Sequence, residues 1–258
     1  MKKKINKVAI YRCIFSSYDF ILPELKVYEN IDYYLFTDIE DLDIYPYKTV
    51  VVGSKYDSPS LDNRFIKIIL PDILASYDTT IYIDSNIAIV GNITSLLDEF
   101  ISSESDIGLF SHPYCTSLNE EVDLCLLKGK CSKTKVNKEL EFYSSLSITS
   151  RSRLSDNSVI FRKKHNLNMS NAMSFWFKLV CEFSGRDQIS LPYVRAKYNL
   201  KEYFFNFSTR TKNNNYFIVF PHKIDRGNSS KVEVVMFYLI FSSRLILRKY
   251  VSFKNKFN

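Results

Sequence analysis

Short apolar segments alternate with longer amphipathic segments along most of the chain. Short runs rich in β-branched and aromatic side chains predict strands, whereas apolar residues at helical spacing predict helices. The predicted strands are Lys7–Phe15, Tyr33–Asp38, Thr49–Val52, Thr79–Asp84, Ile107–Phe110 and Asn157–Arg162. The predicted helices are Arg64–Leu74, with Pro71 as a break or kink, then Ile93–Ile101 and Ala172–Phe183, and a further helix that starts at Gly185–Gln188.

This alternation predicts a single α/β domain with a mostly parallel central sheet flanked by helices. Ligands of such sheets bind beyond the carboxyl ends of the strands, so polar residues that close the strands are candidate site residues. These residues are Asp19, Asp38, Asp84, Asn86 and His112, of which His112 is equally well explained as a turn residue before Pro113. The more polar stretch 116–150 is predicted to be a mobile loop over the site.

Composition removes several classes of protein. Only 6 of the 258 residues are glycine, and no glycine-rich phosphate-binding motif occurs, which argues against two large nucleotide-binding classes. The 5 cysteines form no C-x-x-C motif, so a disulfide framework or a zinc ribbon is disfavoured and reduced thiols are expected. The net charge of +7 favours an anionic partner. Nucleic acid is disfavoured because the aromatic residues lie in apolar segments and are not interleaved with Lys and Arg.

The C-terminal stretch 232–256 combines apolar and basic residues, and Ser242, Ser243 and Arg244 interrupt it. It is too short to span a bilayer, and it is typical of an interfacial helix beside anionic lipid or of a last helix packed on the core. We therefore divide the chain into a domain over residues 1–225 and a basic amphipathic tail over residues 226–258. Because no signal-peptide core follows the first lysines, a cytoplasmic location is expected, peripheral on the inner face of the cell membrane.

Asp84 and Asn86 lie two residues apart at the end of a predicted strand. Their oxygens can converge on one hard divalent cation, which in turn can neutralise a departing diphosphate. Asp and Asn are also common turn residues, so this spacing alone favours a capping or turn role. The flanking residues are needed to decide between the two interpretations.

The flanking motifs occur in a recognisable order. They are Ile10-Tyr11, Ile14-Phe15 and Tyr18-Asp19; Asp32-Tyr33 and Phe36-Thr37-Asp38; Arg64 with Lys67-Ile68-Ile69-Leu70-Pro71; Ile81 to Ile87; His112-Pro113, Glu120-Glu121 and Cys125; Val159 to Arg162; and Trp176 with Ser184 to Leu191. The ordered set, over roughly residues 8–195, resembles glycosyltransferases with the GT-A fold, a Rossmann-related fold. It is most similar to the family once catalogued as domain of unknown function 616, and more distantly to the glycogenin-type family.

The resemblance implies roles for individual residues. It places the donor nucleoside and diphosphate against Tyr11, Phe15, Asp19, Asp38, Arg64, Lys67, Asp84, Asn86 and Arg186. It implies that Asp187 is the general base for an acceptor hydroxyl and that Gln188 hydrogen-bonds the transferred sugar, although Asp187 also fits pairing with Arg186 or capping its helix. It implies a divalent cation, Mn²⁺ or Mg²⁺, on Asp84 and Asn86, with His222 as a possible third ligand. Asn86 stands where the family pattern has a second acid, which removes one negative charge from the site.

The predicted function is therefore transfer of a sugar from a nucleotide-diphosphate donor, with a UDP-sugar expected, to a glycan or a lipid-linked glycan. The basic tail and its expected contact with anionic membrane suggest surface polysaccharide synthesis. The alternative is a non-catalytic module that binds a nucleotide sugar or a glycan.

Overall fold

The computed structural model of the chain describes residues 6–16, 19, 24, 26–145, 153–164, 166–211 and 214–220. All of these residues belong to the first of two units into which the chain divides, and this unit ends at Phe220. His222 and the predicted tail over residues 226–258 lie outside the described residues. The domain boundary at residue 225 and the interfacial helix therefore stay predictions.

A seven-stranded sheet forms the centre of this unit. The strands of the described residues are β1 Val8–Ile14, β2 Ile31–Thr37, β3 Lys48–Val51, β4 Thr79–Ile83, β5 Ile87–Ile89, β6 Ile107–Ser111, β7 Ser155–Lys163, β8 Glu202–Phe205 and β9 Phe217–Val219. The order across the large sheet is β3-β2-β1-β4-β7-β6-β8, while β5 and β9 form a separate antiparallel pair. Six strands of the large sheet run in one direction and β7 runs against them, so the predicted mostly parallel sheet is confirmed.

Six α-helices flank the sheet in the part of the chain that the structure describes. They are α1 Pro59–Ile68, α2 Ile93–Ser102, α3 Leu118–Leu127, α4 Lys133–Ser145, α5 Leu167–Glu182 and α6 Asp187–Lys197. None of these helices has both the length and the hydropathy that crossing a bilayer requires.

Alternate residues of β1 face two apolar cores. Ala9 and Tyr11 pack in a core that includes residues of α1, α5 and α6, whereas Val8 and Ile10 pack in a second core with residues of α2. Burial of both faces explains why this strand is a nearly continuous apolar run without polar alternation.

The predicted strands are confirmed, with ends that differ by one or two residues. The predicted helix over residues 64–74 begins earlier, at Pro59, and ends at Ile68. A short 3-10 helix over Asp72–Leu74 follows Pro71, so this proline is a break and not a kink. A proline cannot continue a helix because it lacks the backbone N–H and restricts the residue before it.

The prediction of a loop over residues 116–150 was wrong for the part that is described, because α3 and α4 lie there. Ser117 caps α3 and forms a reciprocal capping box with Glu120. Val122 of α3 and Val136 of α4 are buried in the first core. The segment is polar overall because its other helical faces are exposed, and these faces obscured the apolar positions.

Candidate active site

The site forms where several strand ends meet at one edge of the large sheet. β1, β2 and β4 are parallel, so their carboxyl ends lie together there. β7 runs in the opposite direction and brings its first residues to the same edge, where the backbone N–H of Asp84 donates to the Ser158 carbonyl at 2.8 Å. The segment from Asp84 to Ile87 therefore lies between the ends of β1 and β7.

A buried arginine holds this segment in place. The guanidinium of Arg12, on β1, donates to the carbonyl oxygens of Asp84 at 3.0 Å and Ile87 at 2.6 Å. It also forms an ion pair with Glu24 at 2.6 Å, and both side chains are completely buried. Burial by itself would lower the pKa of Arg12, but Glu24 and the hydroxyl of Tyr47 raise it above its usual value. Arg12 was not among the predicted site residues because it is a single charged residue within an apolar strand, and the sequence does not show its distant partners.

We expect Arg12→Met to lower the free energy of unfolding by about 3–5 kcal/mol, because Glu24 would be left buried without a counter-charge. Lys201→Met is the matched control, since Lys201 forms a largely exposed ion pair with Glu104 and should contribute less than about 1 kcal/mol. Urea unfolding of both variants measures the difference. Equal losses would contradict a special role for Arg12.

Lys67, in the last turn of α1, connects two carboxylates that are far apart in sequence. Its Nζ lies 2.8 Å from Oδ2 of Asp187 and 3.8 Å from Oδ1 of Asp84. Its backbone carbonyl accepts hydrogen bonds from the Tyr11 hydroxyl at 3.2 Å and from Arg162 at 2.7 Å. The structure thus brings together the predicted site residues Lys67, Asp84 and Asp187.

Asp187 begins α6, directly after Gly185 and Arg186. Gly185 has φ +74°, a conformation that side chains other than glycine's rarely adopt, and this sharp turn directs Asp187 inward. Burial alone would raise the pKa of Asp187, but Lys67, Arg64 and Arg186 together lower it well below its usual range. A carboxylate stabilised in this way is a weak proton acceptor, and the role of Asp187 as general base stays a prediction.

The lowered pKa of Asp187 predicts a specific pH dependence. Below its ordinary pKa of 3.8 the unfolded chain binds this proton and the folded chain does not, so the contribution is complete at higher pH and is lost as the pH falls. We expect the free energy of unfolding of the unmodified protein to fall more steeply between about pH 5 and about pH 3 than that of Asp187→Asn. Parallel curves from urea unfolding would contradict this assignment.

Three further cations lie close to this group. The Nε of Arg210 is 3.4 Å from Oδ1 of the buried Asp156. Burial alone would lower the pKa of Arg210, but Asp156 and Asp84 raise it above its usual value. Burial lowers the pKa of Lys130, and the neighbouring charges of Arg186, Lys128 and Arg210 lower it further. Arg186, Arg210 and Lys130 thus form a positive cluster in which Lys130 interacts with both arginines and Arg210 with Asp84, a suitable environment for an anion.

Asn86 is turned into the protein. Its Nδ2 donates to the carbonyl of Phe220 at 2.6 Å, and its Oδ1 is buried with no hydrogen-bond partner among the described residues. A buried oxygen without a donor is unfavourable, and a bound cation would remove that cost. Asn86 Oδ1 thus fits one ligand of a hard divalent cation, and the predicted cation site on Asp84 and Asn86 stays a prediction. His222 follows Phe220 by two residues, and its predicted ligand role stays a prediction.

The residues predicted for the nucleoside occupy two kinds of position. Tyr11 and Phe15 are buried in the first core, with 0% and 2% of their surfaces exposed, so they support the site from below and present no open surface to a base. Asp38 is half-buried at the end of β2, and both of its carboxylate oxygens accept from the Ser16 N–H at 2.9 Å. Asp19 is also buried.

The remaining predicted residues lie around Asp187. Arg64, on α1, donates to the hydroxyl of Ser60 and contributes to the low pKa of Asp187. The Oε1 of Gln188 accepts from Nη2 of Arg186 at 2.7 Å. Sequence reasoning did not find Lys130 and Arg210, because both lie outside the matched motifs. For Arg210 the available signal was its position shortly after a strand end, in Ser208-Thr209-Arg210.

A mostly parallel sheet with an aspartate and several cations at its carboxyl edge defines a GT-A-like α/β domain. The model of the TOD1/MUCI70 glycosyltransferase-like domain family matches residues 1–222. Because this match covers most of the chain, the protein belongs to that family, and a glycosyltransferase role in general follows. A comparison with curated proteins found no match.

Proposed function

We propose that the protein is an enzyme that transfers a sugar from a nucleotide-diphosphate sugar to a glycan or a lipid-linked glycan. The observation that carries this proposal is the position of Asp84, 3.8 Å from Lys67 and within the electrostatic influence of Arg210. Membership of a glycosyltransferase-like family supports the class of reaction.

The positive cluster suits the chemistry of the donor. When the bond between the sugar and the diphosphate breaks, negative charge develops on the departing diphosphate, and fixed cations stabilise it. Arg186 and Arg210 each present a planar guanidinium that can donate two parallel hydrogen bonds to phosphate oxygens. Asp156 holds the Arg210 guanidinium in position before the donor binds. We assign to Asp187 the holding of Lys67 and not the removal of the acceptor's proton.

A divalent cation, Mn²⁺ or Mg²⁺, forms part of the proposal. When bound to Asp84 and Asn86 it would supply further positive charge to the diphosphate. His222, which the resemblance to glycogenin-type enzymes implies as a third ligand, lies outside the described residues and is kept in the proposal on that resemblance alone.

The nucleoside is proposed to bind beside Asp38 and Asp19, at the carboxyl ends of β1 and β2. The distant resemblance to glycogenin-type enzymes supports UDP as the nucleotide. The closer resemblance to the family once catalogued as domain of unknown function 616 supports the assignment of the donor-binding motifs to these strand ends. A role in surface polysaccharide synthesis, at the inner face of the membrane, is proposed from the basic composition of the tail.

A binding module without turnover is the second candidate. The observation that favours it is the ion pair of Asp187 with Lys67, since this pairing removes the predicted base from the reaction. A calorimetric titration with UDP, combined with a turnover assay on a panel of nucleotide sugars, separates the two candidates. Binding of UDP without release of nucleotide from any donor would favour the module.

We expect Asp84→Asn to lower donor turnover by about 100-fold or more, because the substitution removes the negative charge that would bind the divalent cation, while its amide oxygen can still accept from Tyr82. It should also abolish the additional thermal stabilisation that Mn²⁺ gives in the presence of UDP. Asp98→Asn, on an exposed part of α2, is the control and should change neither quantity. Unchanged turnover in the Asp84→Asn variant would refute the assignment.

We expect Arg210→Met to weaken binding of UDP by about 10- to 100-fold, the effect of losing one charge-assisted contact of about 1.5–3 kcal/mol. The fold should persist because Asp156 still accepts from Ser208, Thr209 and Ser158. Lys178→Met, which removes one charge from the exposed face of α5, controls for net charge. Equal affinities for the two variants would remove Arg210 from the site.

A further inference from the structure

A second buried carboxylate lies next to the positive cluster, and the proposed chemistry does not use it. Glu121, on α3, has a side chain that is only 3% exposed. Its Oε2 lies 3.2 Å from Nε2 of His112 and 3.6 Å from Sγ of Cys115. Its Oε1 lies 3.1 Å from Sγ of Cys125 and 3.6 Å from Nη2 of Arg186.

The hydrogen-bond pattern fixes the tautomer of His112. Its Nδ1 accepts from the backbone N–H of Cys115 at 2.8 Å and from that of Tyr114 at 3.3 Å. The proton of the neutral ring is therefore on Nε2, where it is donated to Glu121. His112 holds the carboxylate in one orientation.

The same pattern argues against a metal ion in this cluster. The ligand atoms of His112, Cys115 and Glu121 lie within 4.8 Å of one another, which is compact enough for a cation. However, Nε2 carries a proton and the Nδ1 lone pair is occupied. Burial, with Glu121 as the next cause, raises the pKa of Cys115 to about 11, so its thiol stays protonated. Arg186 already supplies the counter-charge of the carboxylate.

With a metal ion disfavoured, the charged partner of Glu121 is Arg186. One side of its guanidinium faces Glu121, and Nη2 also donates to Gln188 at 2.7 Å. Its Nε is buried and has no geometric hydrogen-bond partner among the described residues. The orientation of Arg186 thus depends on a carboxylate that is itself held by His112 and two thiols.

We infer that Glu121 is a positioning residue that directs the Arg186 guanidinium toward the diphosphate of the donor, with His112 fixing Glu121. This inference rests on the proposed function. The inference also explains why Glu121 is a buried charge that contributes nothing to the apolar core. Its carboxylate is surrounded by His112, two thiols and Arg186, and such a network can hold the guanidinium in one orientation.

The sign of one substitution tests this inference. Glu121→Gln removes a negative charge near an anion site, so electrostatics alone would make pyrophosphate and UDP bind more tightly. If Glu121 positions Arg186, both ligands should instead bind about 10-fold more weakly, because the amide N–H₂ of the glutamine faces other donors and displaces the guanidinium. Calorimetric titration of the full chain measures both affinities. Equal or tighter binding by Glu121→Gln would overturn the inference.

Glu120→Gln is the matched control. Glu120 is the adjacent exposed acid of the capping box, a glutamine can keep that box, and the charge change is the same. Its affinities should stay within about twofold of those of the unmodified protein or become slightly tighter. A loss as large as that of Glu121→Gln would show that the weakening is not specific to Glu121 and would also overturn the inference.

Substitutions of His112 test the inference if the Glu121→Gln variant does not fold. His112→Leu removes the donor to Glu121 without changing its charge and should weaken binding, whereas His112→Gln retains an N–H donor and should restore most of it. Equal affinities for the two His112 variants would overturn the inference. If the unmodified protein binds neither pyrophosphate nor UDP, the proposed function itself fails, and this outcome is distinct from a failure that appears only in the variants.

Discussion

The arrangement of the site depends on the ion pair between Lys67 and Asp187. The two residues are 120 positions apart in the chain, and their buried contact fixes the end of α1 against the start of α6. A buried ion pair is costly to break, since the partner left behind would be an uncompensated charge in a medium of low dielectric. The same lysine faces Asp84, so the relative position of the helices also determines the surroundings of the aspartate.

Two buried arginines extend this constraint into the sheet. Arg162, on β7, donates to the backbone carbonyl of Lys67, and Arg12, on β1, donates to carbonyls of the segment after β4. Both guanidiniums therefore bind backbone carbonyls, which fixes the course of the chain as well as the side chains. Because these contacts lie beneath the polar edge, the segment that carries Asp84 rests on a polar support within an otherwise apolar core.

Whether a feature of the fold or the site could be predicted from the sequence depends on how far apart in the chain the interacting residues lie. Six of the nine described strands were predicted because apolar runs are local, whereas the short strands β5, β8 and β9 were not. Asp84, Lys67 and Asp187 were found because ordered motifs preserve their spacing. α3 and α4 were missed because their buried residues are diluted by exposed polar faces. Arg12 and Arg162 were missed because a buried arginine is recognised by its distant acceptors. The buried orientation of Asn86 depends on its hydrogen bond to the Phe220 carbonyl, 134 positions away, and could not be predicted from the sequence either.

Pairing each cation with a distant carboxylate explains how several positive charges can share one edge of the sheet. Arg12 pairs with Glu24, Lys67 with Asp187, Arg186 with Glu121 and Arg210 with Asp156. Each pair offsets charge within the folded protein, which reduces the repulsion among these four cations, whereas Lys130 still experiences the repulsion of Arg186 and Arg210. Each pair also fixes a guanidinium or an ammonium in one orientation. A diphosphate would therefore meet donors that need little reorganisation, and preorganisation of this kind is what makes electrostatic stabilisation of a leaving group effective.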